Sequence, residues 1–392
     1  MTVQSAPASS TAAGNQIVAG PLSERPQGRS ILPGRAYTGQ AEFDQEQEAI
    51  FASGWVWAGY EHWAPVGGDV IPVTVAGRPL LIVRGDDGEL RVFHNSCRHR
   101  GMVLTEEKIQ VTRRIQCAYH CWSYHLDGTL AAAPFFRREK RTAPDQEFVA
   151  GLGLLPVASA TWAGMVFVNL SPDPRPLAEL LAPLQKRWQH IDLNRLTLAQ
   201  ERKFDIRANW KLIVENFLDF YHLPFIHPQV GPVSASLDVD DVLVAPEIIG
   251  GCYPRGAAGK AKKSADQLPW LGDVPADRLE SQDIFCVFPN ALLFLESDWF
   301  QVIGFEPLAP DHTLEHMAIF VDSSADSEDF STAIKSLCEV LYEVNEQDLP
   351  ILRKLQAGRH SPGADRTTLL SWWDQITAHF QSLVRDRAGY PQ

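Results

Sequence analysis

The chain has 392 residues, of which 45% are hydrophobic and 21% are charged, as is ordinary for globular proteins. Its formal net charge of −13 argues against binding to nucleic acids or anionic membranes, since both need basic surfaces. The sequence has neither a signal-peptide pattern nor an apolar run long enough for a membrane helix, and its six cysteines are too few for a disulfide framework, so we expect a protein of the reducing cytoplasm.

At this length the chain is expected to form two domains. Residues 1–40 begin with a stretch rich in Ser, Ala, Gly and Pro, which predicts a flexible arm. An amphipathic helix is predicted over 41–53, and the segment from 60 to 160 is predicted to be β structure. Apolar strands at 79–84 and 89–94 flank a Gly-Asp-Asp-Gly turn, which is a hairpin signal.

Two loops in this β segment carry metal-binding side chains in matched pairs. The first has Cys97 and His99, and the second has Cys117 and His120. One Cys and one His from each loop suit a Rieske [2Fe–2S] cluster, in which two Cys hold one iron and two His hold the other. A tetrahedral Cys2His2 zinc site is the alternative, although zinc fingers usually group like ligands together. Trp122 is predicted to pack beside the cluster, and the remaining cysteines are expected to be buried thiols.

A change in composition separates the two predicted domains. A buried strand at 164–170 is followed by apolar residues that recur at helical spacing over 176–191. The sequence therefore predicts a first domain over 41–168, which contains the cluster, and a second over 169–392.

The second domain has two histidines near the end of a predicted helix. Residues 206–222 are predicted to form this helix, which Pro224 terminates, so that the following loop brings His227 back towards His222. Two histidines and one carboxylate form the facial triad of mononuclear non-haem iron sites, which leaves open positions for O2 and substrate. From the residues alone, two surface histidines at a helix end remain the alternative.

Further along the chain, four predicted strands form an antiparallel sheet that encloses the iron site. The strands lie at 284–288, 291–296, 299–306 and 313–321. Residues 251–275 are rich in Gly, Ala, Pro and Lys, and they are predicted to form either a lid over the substrate or a plain solvated loop. Long helices are predicted over 330–358 and 367–387. Apolar side chains are candidates for lining the pocket: Phe217, Leu218, Phe225, Phe288, Phe294 and Trp299.

The two metal motifs together resemble the Rieske non-haem iron oxygenases, in the branch that contains ring-hydroxylating alpha subunits and the choline, betaine and carnitine oxygenases. The segment CRHRG…CAYHCW at 97–122 resembles the Rieske domain of that family. Asn-Trp-Lys at 209–211, followed by Glu-Asn, Asp-x-Tyr-His and a further His, resembles its catalytic motif. The resemblance implies an α+β fold, in which an all-β Rieske domain accompanies an α+β catalytic domain with an antiparallel sheet and a mononuclear iron.

The resemblance also assigns the ligands of the mononuclear iron. It implies that His222 and His227 bind the iron and that Asp348 supplies the carboxylate. Pro350 lies two residues after Asp348, and proline is well tolerated in the first turn of a helix. The residues therefore also allow Asp348 to lie in a first helical turn. Glu343 and Glu346 are the local alternatives.

Asp219 is assigned a separate role. It lies three residues before His222 and is predicted to share its helix face. In the family this acid bridges a cluster histidine of one subunit to an iron histidine of the next, which here means His120 to His222. The alternative is an Asp on a solvated helix surface. Because electrons in the family pass across a subunit contact, the resemblance implies a head-to-tail ring, usually a trimer.

The implied activity is that of a terminal oxygenase. It uses O2 and electrons from NAD(P)H, delivered by a separate flavin/iron–sulfur reductase, to hydroxylate or oxidatively demethylate a small soluble substrate, either a quaternary ammonium or an aromatic compound. Cis-dihydroxylation by an aromatic-ring dioxygenase alpha subunit is the alternative. A Rieske electron carrier without oxygenase activity is the alternative of another class, and a zinc-structured binding protein predicts a colourless preparation.

Overall fold

Each half of the chain forms an antiparallel sheet. The computed structural model describes residues 28–136, 149, 151–228, 242–254, 268–276, 278–279, 281–370 and 374–391. No helix within these residues is both long and apolar enough to cross a membrane.

The first half begins with short helices and continues almost entirely as strands. Its helices are α1 (Arg35–Thr38) and α2 (Gln40–Glu46), and α2 runs into a π-helical turn (Gln47–Phe51). Its strands are β1 (Gly28–Arg29), β2 (Val56–Tyr60), β3 (Asp69–Val75), β4 (Arg78–Arg84), β5 (Leu90–His94), β6 (Ile109–Gln110), β7 (Ile115–Gln116), β8 (Ser123–Tyr124), β9 (Leu130–Ala132), β10 (Pro156–Trp162) and β11 (Met165–Asn169). The larger sheet has the order β2-β11-β10-β5-β4-β3-β6, and β7-β8-β9 form a small sheet.

The second half combines helices with a seven-stranded antiparallel sheet. Its helices are α3 (Leu177–Arg187), α4 (Trp210–Leu218), α5 (Leu223–Ile226), α6 (Ser331–Gly358) and α7 (Gln375–Ala388). Its strands are β12 (Leu196–Ile206), β13 (Val242–Ala245), β14 (Ile248–Pro254), β15 (Ser281–Val287), β16 (Ala291–Leu295), β17 (Phe300–Ala309), β18 (His312–Asp322) and β19 (Thr368–Leu369). The sheet order is β12-β18-β17-β16-β15-β14-β13, and β19 pairs with β1. The predicted α+β fold with an all-β first domain is confirmed.

The second sheet is covered on both faces, because successive side chains of a strand point to opposite sides. On β18, Met317 belongs to the core that includes Trp210 of α4 and Phe380 of α7. The next residue, Ala318, belongs to the core that includes Trp57 of β2 and helix α3. One face of the sheet therefore supports the helices that carry the second metal motif, and the other face supports the first domain.

Trp57 joins the two domains through its backbone and its ring. The Asn290 side chain accepts a hydrogen bond from the Trp57 N–H and donates one to the Trp57 carbonyl, both at 2.9 Å. The ring lies over Gly304, where an added Cβ would stand only 2.1 Å from it. The domains thus meet through buried hydrogen bonds and close packing, so that the first domain is fixed against the second sheet.

The structure differs from the predictions around the second metal motif. The predicted helix over 206–222 is confined to α4, since β12 extends to Ile206 and the helix ends at Leu218, with Asp219 as its C-cap. There the Asp219 carboxylate accepts the Tyr221 N–H at 2.7 Å, a local bond that competes with helix continuation. Pro224 lies in the first turn of α5 and so begins a helix instead of ending one.

Three other predicted segments also differ. Residues 28–40 of the predicted arm contain β1 and α1, while 1–27 lie outside the described residues. Residues 251–254 belong to β14 instead of a loop, because they pair with β15. The rest of the predicted lid includes 255–267, which lie outside the described residues. The last helix begins only at Gln375, after β19. The domain boundaries stay predictions.

Lys211 and Glu46 form a fully buried ion pair between α4 and α2. Both are 0% exposed, and Lys211 Nζ lies 2.6 and 2.7 Å from the two Glu46 carboxylate oxygens. Glu46 also accepts hydrogen bonds from Trp210 Nε1 and the Tyr390 hydroxyl. Burial lowers the pKa of Lys211, against the opposing effect of Glu46. The Asn-Trp-Lys segment therefore anchors α4 and does not contribute ligands.

Substituting Lys211 with Met is expected to lower the free energy of unfolding by about 3–5 kcal/mol, because it leaves the Glu46 carboxylate buried without its counter-charge. Urea unfolding followed by tryptophan fluorescence measures this change. Lys335→Met, at an exposed position of α6, is the matched control and should change stability by less than about 0.5 kcal/mol. Adding Glu46→Gln to Lys211→Met should recover stability; a further loss would contradict the explanation.

Candidate metal centres

The two loops that carry the predicted cluster ligands have the same backbone conformation. In the first, the Cys97 N–H donates to the Met102 carbonyl and the Gly101 N–H donates to the Cys97 carbonyl, both at 2.8 Å. The second loop repeats both bonds at the equivalent positions around Cys117. The residue four positions after each of these cysteines has a left-handed backbone conformation: φ is +74° at Gly101 and +59° at Cys121. Glycine adopts this conformation freely, whereas Cys121 does so at a cost.

The side chains of both loops converge. Cys97 and Cys117 are 3% and 1% exposed, whereas His99 and His120 are exposed. The Nδ1 atoms of the two histidines lie 3.1 Å apart. Trp122 stacks on His99 with ring centroids 5.0 Å apart, next to the cluster ligands as predicted. Two buried thiols and two imidazoles that present Nδ1 to the same region fit a cluster with one iron on sulfur and one on nitrogen.

Tyr124 is a neighbour of this centre that the sequence analysis missed. Its hydroxyl lies 3.3 Å from Cys97 Sγ and accepts the Arg98 N–H at 2.9 Å. Hydrogen bonds to cluster sulfurs tune the reduction potential, so Tyr124 is placed to do so. Nothing in the local spacing distinguishes it from an ordinary strand tyrosine.

The prediction that the other cysteines are buried thiols holds for two of them. Cys286 and Cys338 are buried, Cys252 is half-buried and Cys121 is exposed. Cys121 is exposed because it lies in the second cluster loop, at the tip of the hairpin that β7 and β8 form.

The second site is assembled by one turn of helix and by the middle of a long one. His222 immediately precedes α5 and His227 immediately follows it, so a single turn brings their ring centroids to 5.1 Å. Asp348 is inside α6, not in a first turn as predicted, and Pro350 is accommodated within that helix. Asp348 Oδ1 lies 3.1 Å from His227 Nε2 and 3.7 Å from His222 Nε2.

These three atoms fit a divalent iron. His222 Nε2, His227 Nε2 and Asp348 Oδ1 are buried, and none has a hydrogen-bond partner among the described residues. The three residues offer ligand atoms that all lie within 4.8 Å of one another. A buried polar atom without a partner costs about 1–3 kcal/mol, and a bound cation would satisfy all three at once. Two imidazoles and one carboxylate on one side are the donor set of non-haem Fe(II) sites.

Each histidine of this set is hydrogen-bonded through its other nitrogen. His222 Nδ1 donates to Asp219 Oδ2 at 3.1 Å, and His227 Nδ1 donates to Gln347 Oε1 at 2.7 Å. Asp219 reaches His222 from the turn after α4, so the predicted proximity is correct although no helix face is shared. Within the described residues, His120 is not a hydrogen-bond partner of Asp219. Gln347 was not predicted.

A buried acid lies behind the carboxylate ligand. Glu315 of β18 is 1% exposed and accepts a hydrogen bond from Asn345 Nδ2 at 2.7 Å. Burial raises the pKa of Glu315 to about 7, although the Asn345 bond acts in the opposite direction and the nearby Asp348 adds to the rise. Glu343 and Glu346, the alternative ligands, are exposed. The turn of α6 that carries Asp348 is therefore tied to the sheet.

The pocket candidates separate into core and surface. Leu218 and Phe288 are buried in the main core, where Phe288 packs on Trp210, and Phe225 is 72% exposed. Phe294 and Trp299 form an edge-to-face pair with centroids 4.7 Å apart. A cavity of about 870 Å³ lies between α2, β3 and the β17–β18 hairpin, and no residue of the iron triad lines it.

Comparison with known proteins agrees with this geometry. Residues 54–150 match the family described as Rieske [2Fe-2S] domain, and residues 193–389 match the family described as Ring hydroxylating alpha subunit (catalytic domain). The chain is 31% identical over 260 residues to a glycine betaine monooxygenase oxygenase subunit of Chromohalobacter salexigens, covering 66% of this chain and 56% of that protein. It is 33% identical over 197 residues to a biphenyl 2,3-dioxygenase subunit alpha of Rhodococcus jostii, covering 49% and 42%.

A solved structure extends the likeness over most of the chain. A quaternary ammonium Rieske monooxygenase, studied for carnitine oxidation and inter-subunit electron transfer, superposes with a TM-score of 0.72 at 25% identity, covering 91% of this chain and 94% of that chain. The chain spans about half the length of the curated relatives that it matches. With a Rieske [2Fe–2S] domain followed by a ring-hydroxylating catalytic domain, the chain belongs to the Rieske non-haem iron oxygenases, as an alpha subunit of the terminal oxygenase.

Proposed function

We propose that this chain is the oxygenase component of a Rieske monooxygenase that hydroxylates or oxidatively demethylates a quaternary ammonium compound. The observation that carries the proposal is the triad of His222, His227 and Asp348 in a chain that also has a Rieske domain. The buried ligand atoms of the triad have no hydrogen-bond partner in the part of the chain that the structure describes. Electrons come from NAD(P)H through a separate flavin/iron–sulfur reductase, and O2 is the co-substrate.

The residues divide the work between the two centres. Cys97 and Cys117 would hold one iron of the cluster, and His99 and His120 would hold the other. When bound, the mononuclear iron supplies the activation of O2 beside the substrate.

At the mononuclear site, His222, His227 and Asp348 provide three donors and leave the remaining positions to O2 and substrate. Asp219 accepts the proton on His222 Nδ1, which keeps the lone pair of Nε2 directed at the metal. The three ligand atoms themselves are shielded from solvent.

The quaternary ammonium class is supported by the names of the relatives, and two buried aromatic rings are candidates to contact such a group. Phe220, close to His222 in sequence, stacks on Tyr253 with centroids 4.0 Å apart. Aromatic faces attract trimethylammonium groups by cation–π interaction. An arene would also stack on such faces, and the biphenyl dioxygenase relative keeps ring dihydroxylation as the second candidate.

A head-to-tail ring, most simply a trimer, is part of the proposal. His120 is exposed at the tip of the first domain, and the Asp219 side chain is 29% exposed. A large aromatic side chain is exposed at each of these points: Tyr119 is 57% exposed beside His120, and Tyr221 is 45% exposed beside Asp219. Exposed apolar groups at both ends of the electron route suit a subunit contact that closes into a ring.

Oxygen uptake tests the substrate class. We expect the purified protein, with a reductase and NADH, to consume O2 with glycine betaine or carnitine and not with biphenyl, and to yield a hydroxylated or demethylated product by mass spectrometry. Omitting the reductase is the control. A cis-diol from biphenyl without turnover of either ammonium compound would reverse the order of the two candidates. No substrate-dependent uptake with any of them would favour the electron carrier.

A further inference from the structure

His227 is held between two consecutive residues of α6. Its ring is 0% exposed, with Nε2 at 3.1 Å from Asp348 Oδ1 and Nδ1 at 2.7 Å from Gln347 Oε1. We propose that Gln347 is a positioning residue for the mononuclear iron, which fixes the tautomer and the orientation of His227. This inference rests on the proposed function, because it takes His227 and Asp348 as ligands of the iron.

A neutral imidazole has two tautomers, with the proton on either Nδ1 or Nε2. If the proton were on Nε2, the Asp348 carboxylate at 3.1 Å would attract it, and the resulting His–Asp contact would occupy both ligand atoms. The amide oxygen of Gln347 can only accept, so the bond at 2.7 Å requires the proton to be on Nδ1. Gln347 therefore leaves the lone pair of Nε2 available to a metal.

The orientation of the Gln347 amide is itself fixed. Its Nε2 donates to Glu343 Oε1 at 3.3 Å, one turn back on the same helix face, which leaves Oε1 directed at His227. Asn345 ties the same turn of α6 to the buried Glu315 of the sheet. Neighbouring turns of α6 thus carry three groups with linked roles. Asp348 supplies the carboxylate ligand, Gln347 accepts the hydrogen bond from His227, and Glu343 orients Gln347.

The two histidines have partners of different charge. His222 donates to the Asp219 carboxylate, whereas His227 donates to a neutral amide. With Asp348, the site already holds two carboxylates to balance a divalent ion. Gln347 therefore provides an acceptor without adding a third negative charge. Replacing it with Glu preserves the acceptor, and replacing it with Leu preserves only the approximate volume.

Metal binding tests this inference without relying on turnover. The mononuclear iron is removed with a chelator while the cluster absorbance is retained, and Fe(II) is then titrated back anaerobically to obtain Kd. Gln347→Leu is expected to raise the Kd about 10–100-fold. Gln347→Glu, made together with Glu343→Gln so that no carboxylate faces the new one, is expected to stay within about threefold of the parent or to bind more tightly, since the carboxylate accepts the same N–H. Lys354→Leu, at an exposed position of the same helix, is the matched control and should equal the parent.

The outcomes separate this inference from the proposed function. If the parent binds Fe(II) and Gln347→Leu binds it equally well, the inference is wrong and the function stands. If the Gln347→Glu, Glu343→Gln double variant binds as weakly as Gln347→Leu, the hydrogen bond is not what matters and the inference is again wrong, even if the Leu variant is poorly folded. A parent that takes up no Fe(II) beyond its cluster would overturn both.

Discussion

Replacing His222 and His227 together with alanine is expected to abolish substrate-coupled O2 uptake and to leave the Rieske cluster intact. The two imidazoles supply two of the three protein donors of the triad, and Asp348 alone cannot retain Fe(II) against water. The predicted cluster ligands lie in the other predicted domain and do not include either histidine. Iron content should therefore fall from about three to about two per chain, while the visible and EPR spectra of the reduced cluster remain unchanged.

The comparison protein for this experiment should lose two histidines that have no part in the proposal. His125 and His360 are both exposed, so their double substitution with alanine is a matched control and should keep the parent iron content and activity. Substrate-coupled O2 uptake that survives the loss of His222 and His227 would refute the assignment of the mononuclear site. Such survival would mean that O2 is consumed at the cluster, as for an electron carrier that reacts with oxygen.

The cluster motif could be predicted because its information is local. Cys97 with His99 and Cys117 with His120 lie within two short loops, and the type of each hairpin turn depends only on residues that are adjacent in sequence. The strands β4 and β5 match the predicted segments for the same reason. The backbone hydrogen bonds that the two loops share also join residues that are close in sequence.

The second site was less predictable, because long-range contacts and one local competition decide it. The helix before His222 ends early because the Asp219 side chain captures a backbone N–H, which helical periodicity does not reveal. Asp348 was assigned by resemblance. The helix predicted over 330–358 matches α6, and only the placing of Asp348 in a first helical turn, which Pro350 suggested, was wrong. Gln347 resembles any polar residue on a helix until the position of His227 is known.

Substituting Asp219 with Asn is expected to slow electron delivery to the mononuclear iron about 100-fold while both metal centres stay loaded. The carboxylate already accepts the Tyr221 N–H on one oxygen and the His222 Nδ1–H on the other. In the proposed ring it also accepts a hydrogen bond from the partner's His120, which a carboxylate has the lone pairs to do. An amide has one acceptor oxygen, so Asn cannot serve all three donors.

Stopped-flow spectroscopy measures this effect directly, as the rate at which the reduced cluster reoxidises when O2 and substrate are mixed in. Asp219→Glu keeps the carboxylate and should recover part of the rate. Asp205→Asn, which is partly exposed, is the control and should match the parent. Equal reoxidation rates for the Asp219→Asn protein and the parent would remove Asp219 from the electron route.

The direction of transfer has its own test in mixed oligomers. A His99→Ala subunit lacks a competent cluster, and a subunit with both His222→Ala and His227→Ala lacks the mononuclear iron, so each is expected to be inactive alone. When the two variants are mixed in equal amounts and reassembled, half of the subunits have an intact mononuclear iron site. Half of those subunits have a neighbour with an intact cluster, from which they receive electrons. A head-to-tail ring should therefore regain about a quarter of the parent activity. Transfer within one chain would regain none, because no single subunit carries both centres.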